Sequence, residues 1–433
     1  MNFSFIGIIL SLAILMLLVY KRVNIIIASI ITSLVVILTS GIPALDTITG
    51  EYVNGFAGFI IKNLLLFVFS SIFGKLMDDS GAASAFAQWL YNISGKEFAP
   101  FTAMIATALL AYGGVSNFVI VFAVYPIFLR VWREVDLPPR LIPGAIFGSS
   151  ATFAASMLPG TPQLNNIMPI PYLNTTPTAA WQIGLVTAIV SIILIYLYFR
   201  WEFKKARDKN EGFHTNEAIE AQLLRIDAKK AVNPYLSMLP MIALLVTLNI
   251  FGWNILVSLV FSIILVLVLF WNNIQDKLGA INEGTTSAAS AIFNTSGVVG
   301  FGSVVKLTSG FKYLVDSLMG MGGNPMISLG IIATLISGIT GSGTGGIAIT
   351  MDAFTNQYLK LGVNPEIFHR IVTIASNGLD SLPHNGLVIT VITACGMTHK
   401  ESYKQIFVTS VVVTLISLAI AIVMGIFMYP IGV

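Results

Sequence analysis

Asp380 and His384 stand four residues apart in the stretch SNGLDSLPHNG (376–386), which also holds two asparagines, two serines, two glycines and a proline between apolar segments. An aspartate and an imidazole at one chain break can hold a proton between them. With the aspartate ionised, the Asn and Ser oxygens beside it can instead help hold a hard cation such as sodium. An ionisable residue at membrane depth is seldom kept for structure alone, because removing it from water is costly. Asp380 and His384 are therefore the expected ion-coupling residues, with Asn377, Ser381 and Asn385 beside them expected to bind the substrate. The competing reading of this stretch is a Pro-Asp-Asn turn at the membrane surface.

A second polar break lies at TGSGTGGIAIT (340–350), where Ser342 and Thr344 precede an apolar run that restarts at Ile347. Such a start places free helix amides beside hydroxyls, a site for a carboxylate that needs no buried arginine. Gly343 and Gly345 would let a ligand approach the backbone. Close helix packing through small residues asks for one at every fourth position, less than this unbroken run of glycine and hydroxyl residues supplies.

Two related breaks occur earlier. YGGVSN (112–117) offers Ser116 and Asn117, although a plain interfacial loop would read the same way. The segment SMLPGTPQLNNIMPIPYLNTTP (156–177) carries five prolines, which exclude a continuous helix. Thr161 adjoins its Leu-Pro step and is a candidate ligand. Gln163, Asn165 and Asn166 could line the same cavity or belong to an external loop.

The elements that must position these residues are apolar helices. The chain has 433 residues, of which 56% are hydrophobic and 10% charged, with a mean hydropathy of +0.86. A soluble domain carries about 25% charged residues, so this is an integral membrane protein. Long apolar runs at about 3–20, 23–40, 56–73, 100–112, 117–129, 180–200, 235–251, 254–271, 326–340 and 405–428 show no strand-like alternation, and several reach the ~20 residues that cross hydrocarbon as a helix. The expectation is an all-α polytopic membrane protein. The first run, with no cationic lead and no small-residue cleavage site, is expected to be retained as a helix. The single cysteine, Cys395, excludes an intramolecular disulfide and offers no metal cluster; no cofactor is expected. A net charge of +3 gives no reason to expect nucleic acid.

One hydrophilic stretch, Trp201 to Pro234, has lysines and arginines at both ends, as a cytoplasmic loop should. Lys21 and Arg22, and Arg130, Arg133 and Arg140, mark two further cytoplasmic turns, which puts both termini outside. The expected organisation is a first membrane repeat at 1–201, a cytoplasmic linker at 202–233 and a second repeat at 234–433. Each half opens with two long helices, passes a Ser-Gly element (KLMDDSG at 75–81, KLTSG at 306–310), meets a glycine break, then a Leu-Pro break, and closes on a long helix. A first half that starts outside and ends at the cytoplasmic linker crosses an odd number of times, so the second half is expected upside down. Inverted-topology repeats with paired broken helices are the signature of secondary transporters.

The remaining charges carry less. Lys62 is expected to snorkel to an interface, Lys75, Asp78 and Asp79 to form a membrane-edge cluster, and Asp352 to be a secondary candidate; His214, His369 and His399 read as solvated. Intramembrane proteolysis is the enzymatic alternative, yet no Ser-Gly pair has glycine two residues before its serine, and SNGLD lacks the second glycine of a Gly-x-Gly-Asp element. A passive channel would not need two different proline-broken sites.

GKLMDDSGAA, GSGTGG, HRIVTIASNGLDSLPHNGLVIT and GMTHKESY, spread from Gly74 to Tyr403, resemble the gluconate permease family of bacterial symporters in the ion transporter superfamily, most nearly its D-beta-hydroxybutyrate permease branch. The resemblance implies uptake of a small organic acid anion, such as gluconate or 3-hydroxybutyrate, with protons across the bacterial inner membrane; sodium coupling is the alternative. It also implies two re-entrant hairpins whose tips fall near Ser116 and Asn117, Pro159 to Thr161, Ser342 to Gly346, and Asn377 to Asn385, and by analogy a homodimer.

Overall fold

The computed structural model describes residues 3–21, 23–83, 85–86, 89, 98–215, 219–220, 232–319, 323–383 and 385–431. His384 and most of the linker (216–218, 221–231) lie outside the described residues.

Asparagine followed by proline starts three helices, at Asn233, Asn324 and Asn364, where the side-chain oxygen accepts amides of the first turn and proline fills a position whose N–H would be unpaired. In chain order the main helices are α1 (Phe3–Tyr20), α2 (Ile25–Ser40), α3 (Val53–Asp79), α4 (Ala99–Tyr112), α5 (Asn117–Glu134), α6 (Ile142–Phe147, running on to Ser156) and α7 (Trp181–Asp208). After the linker come α8 (Pro234–Asn249), α9 (Ile255–Leu269), α10 (Lys277–Lys306), α11 (Ser309–Met319), α12 (Pro325–Thr340), α13 (Gly343–Lys360), α14 (Pro365–Ser376), α15 (Gly386–Ala394) and α16 (His399–Ile406, running on to Met428). The described residues contain no strand.

Among the described residues, four stretches are long and apolar enough to cross a membrane: 44–79 and 181–208 before the linker, 277–306 and 399–428 after it. Shorter apolar helices interleave with them in the same order in both halves. The matched long helices run antiparallel. Gly55 of α3 packs against Ser303 of α10, while Ile72 of α3 packs against Gly284. Likewise Ser191 Oγ of α7 lies 2.8 Å from Ser417 Oγ of α16, and Glu202 Oε1 lies 3.7 Å from Lys404 Nζ. The α3–α10 crossing is close because small residues line it: a Cβ on Gly284 would stand 2.9 Å from Ile72 Cα, and one on Gly300 2.8 Å from the Tyr52 carbonyl oxygen.

At the end of α7, Arg140 clasps the start of the linker. Its Nε lies 2.5 Å from Glu211 Oε1 and its Nη2 2.7 Å from Glu211 Oε2, a bidentate pair, while Nη1 reaches buried Glu202 at 3.3 Å. Phe213 donates its amide to Asp136 Oδ1 at 2.8 Å.

Candidate functional site

The two glycine breaks are built alike. Gly114 and Gly341 take left-handed backbone (φ +92° and +58°), and each is followed by an extended serine-led start, Ser116 before α5 and Ser342 before α13. Ser342 Oγ accepts the Gly345 amide at 3.2 Å and lies 3.2 Å from Thr344 Oγ1. Chain interruptions leave carbonyls that need donors, and an amide side chain from the Leu-Pro break of the same half meets that need. Gln163 Nε2 donates to the Ala111 and Val115 carbonyls (2.6 and 2.9 Å); Asn385 Nδ2 donates to the Gly341 carbonyl at 3.0 Å while its Oδ1 caps α15 through the Val388 amide at 2.9 Å.

Pro383 biases Leu382 to an extended conformation (ψ 162°), which separates α14 from α15. The turn between them presents Asp380. Its Oδ1 accepts Ser381 Oγ at 2.8 Å, Ser381 Oγ lies 2.6 Å from Ser410 Oγ, and Ser410 Oγ donates to the Asn377 carbonyl at 3.3 Å. Tyr403 donates to the Ser381 carbonyl at 3.1 Å and His399 Nε2 lies 3.0 Å from the Pro383 carbonyl, so α16 also holds the turn. The Gly343 amide, at the start of α13, faces the Asp380 carboxylate.

Asn165 joins the halves by donating to Asn377 Oδ1. Asn377 Nδ2 donates to the Ala151 and Thr152 carbonyls at 2.5 and 3.3 Å. Those carbonyls lie in the one wide turn of α6, Gly148–Phe153, where the helical ladder is loosened and such oxygens are free to accept.

These elements surround a cavity of about 1080 Å³. Of the sequence candidates, Ser116, Asn117, Ser342, Gly343, Thr344, Asn377, Asp380, Ser381 and Asn385 line it, with Gln163 and Asn165. Thr161 is fully buried outside the lining, where its carbonyl accepts Asn166 Nδ2 at 2.9 Å, and Gly345 lies inside the first turn of α13. Asp352 is also outside the lining, paired with Lys62 at 3.2 Å.

The sequence reading missed a polar ladder on α10, formed by Glu283, Thr286, Ser287, Ser290 and Asn294. Its spacing of three and four residues is the signal of one helix face. Lys75 and Asp78 also line the cavity and are more than an edge cluster; Lys75 pairs with Asp79 at 2.9 Å and Glu283 at 2.7 Å. The charged groups among the described lining residues are thus three carboxylates and one lysine, itself already paired.

His214 is exposed, but His369 is not solvated: it and Arg370 are fully buried. His399 is only partly exposed. Arg370 donates to the Ala179 carbonyl (3.0 and 2.7 Å), the Ser156 carbonyl at 3.1 Å and Asn166 Oδ1 at 3.2 Å, and His369 Nδ1 lies 2.8 Å from Thr175 Oγ1. The guanidinium therefore meets the carbonyl end of α6, where the helix dipole favours a cation.

Residues 15–279 match the family model described as CitMHS, citrate transporter. Over 94% of its length the chain is 31% identical to the uncharacterized transporter YxjC of Bacillus subtilis (strain 168), covering 96% of that protein. An uncharacterized transporter of Haemophilus influenzae is 24% identical, over 83% of this chain and 84% of that one. Among solved structures, the YdaH transporter of Alcanivorax borkumensis, described as having an unusual topology, superposes with a TM-score of 0.59 over 90% of both chains at 14% identity, a likeness of fold.

Proposed function

The chain belongs to the citrate transporter (CitMHS) family, and from that premise we propose that it imports a small hydroxy-carboxylate anion by proton symport. It is a multi-pass secondary transporter and not an enzyme. The observation that carries the symport reading is the charge of the cavity. Glu283 is paired with Lys75, while Asp380 is bonded to a hydroxyl and an amide, so its carboxylate repels an anion beside it and the cargo is expected to arrive with a cation that offsets the charge. Asp380, between the Gly343 amide and the Ser381 hydroxyl, is the group for that cation, with His384 beside it in sequence.

In this reading the Ser342 and Thr344 hydroxyls and the Thr344 amide take the carboxylate, and Asn117, Asn165 and Asn377 read the cargo's hydroxyls. Citrate, gluconate and 3-hydroxybutyrate share both groups, which reconciles the family description with the resemblance of SNGLDSLPHNG to gluconate permeases. The hairpins α4–α5 and α12–α13 act as the two re-entrant elements of inverted repeats (1–201 and 234–433) about a cytoplasmic linker. In this reading the transporter works as a homodimer in the inner membrane.

A second reading, sodium coupling, is supported by a chain of neighbouring oxygens: the Asp380 carboxylate, the Ser381 and Ser410 hydroxyls and the Asn377 carbonyl. One experiment separates them. Purified protein in sealed vesicles is offered each acid under an imposed pH gradient or sodium gradient. Accumulation driven by the pH gradient alone is expected, and accumulation only with sodium would select the second reading. Downhill flux that never exceeds equilibrium would refute both.

A further inference from the structure

Along α10 the lining passes from exposed Glu283, Thr286, Ser287 and Ser290 to buried Thr295 and Val298, and along α3 it runs from Asp78 to buried Phe67, so the cavity is open toward the Lys75–Glu283 end of that antiparallel pair, its mouth. From the tip at Gly343, α13 runs alongside α10 away from this mouth: Gly345 faces Thr295 and Ile349 packs on Gly302. Asp352 lies nine residues past the tip, roughly 14 Å at 1.5 Å per residue. There it meets Lys62 of α3 at 3.2 Å, and the same Nζ reaches Tyr172 Oη at 3.4 Å. Neither Lys62, Asp352, Tyr172 nor Lys306, which lies within electrostatic reach of Asp352, lines the cavity.

We propose that Lys62 is a positioning residue for transport: its ion pair with Asp352 latches α13 to α3 at the face opposite the cavity mouth, and must break for the site to face the other side. The inference rests on the transporter reading above. The pair has the properties of a reversible latch. Its side chains are 55% and 34% exposed, so the pair is not enclosed by protein and can part without opening the packed core, and the bond biases the two states without fixing one. It also joins three separate pieces of the fold: a long helix, a hairpin arm and, through Tyr172, the broken segment of the first half.

The test needs no cargo. Ser290 is exposed and lines the cavity, while the chain's own Cys395 is buried. Ser290→Cys in vesicles is labelled by a membrane-impermeant maleimide from the mouth side, with Lys62→Met, Asp352→Asn or the exchange Lys62→Asp/Asp352→Lys added. Each single change is expected to shift the equilibrium by up to about fivefold and so to slow labelling by at most that factor, and the exchange to restore it. Unchanged labelling in well-folded single variants overturns the proposal, as does an exchange that labels no faster than they do. If a single variant does not fold, the exchange against the parent decides: parent-like labelling upholds the latch and slowed labelling overturns it. Failure of gradient-driven uptake would count against the transport reading alone.

Discussion

Asn165 donates its side-chain amide to Asn377 Oδ1 across 212 residues of sequence, and this contact joins the two halves in the wall of the cavity. Asn377 is nearly fully buried and spends its own amide on the Ala151 and Thr152 carbonyls. Asn377→Ala strands polar groups on both sides, at about 1–3 kcal/mol, and should lower the thermal midpoint in detergent. Asn165→Ala should cost less. The double variant should fall short of the sum of the two by about 0.5–3 kcal/mol, as for residues in direct contact; strict additivity would show that the two do not act together.

Gly343 has no room for a methyl group. A Cβ there would stand 2.6 Å from Asn165 Nδ2 and 2.9 Å from Asp380 Oδ2. Gly343→Ala should therefore displace both and weaken cargo binding at least tenfold in a thermal-shift titration. Gly386 lines the same cavity, but a Cβ added to it would have no neighbour within 4 Å among the described residues. Gly386→Ala should bind normally and gain up to about 1 kcal/mol from lower chain entropy. Equal effects at the two positions would contradict the assigned geometry.

Asp380→Asn keeps the size of the side chain and removes its charge. The expected outcome is loss of uphill accumulation with counterflow exchange retained, because exchange does not require the coupling ion to be released. Unaltered concentrative uptake would remove Asp380 from the coupling role.

Outside the membrane, hydrogen bonds from Arg140 hold the Glu211 carboxyl below the ordinary carboxylate range. A folded pKa below the unfolded one means that this contribution is fully present above the unfolded value and fades as pH falls through the folded one. Amide exchange at Phe213, corrected for its intrinsic pH dependence, should thus be slow at pH 7 and accelerate a few-fold below pH 4. Glu211→Gln should show the faster rate at both pH values.

The breaks were legible because glycine, proline and capping residues punctuate the chain locally: Ser342, Asn385 and the Asn-Pro helix starts can be read from a few neighbours. The order of elements was legible for the same reason. What escaped depends on contacts made far along the chain. Arg370 and His369 look solvated beside each other, yet the acceptors of Arg370 are carbonyls and an asparagine about 200 residues away. The ladder on α10 was visible as a helical period, but nothing local says that this face meets a cavity and not lipid. Thr161 resembles a ligand by its place beside a Leu-Pro step, yet it is buried outside the cavity lining, with Asn166 donating to its carbonyl.

The contact between Asn165 and Asn377 also sets a clock on biosynthesis. At about 5–20 residues per second, the 212 residues between them take roughly 10–40 s to make. Through that interval the first half waits in the bilayer with its proline-rich segment and the tip at Ser116 lacking their partners. A ribosome that stalled near the linker would leave a fragment with polar groups facing lipid, a species for membrane chaperones or proteases. Expressing the halves as two chains lengthens the wait without changing the final contacts, and so separates the stability of the finished site from the hazard of assembling it.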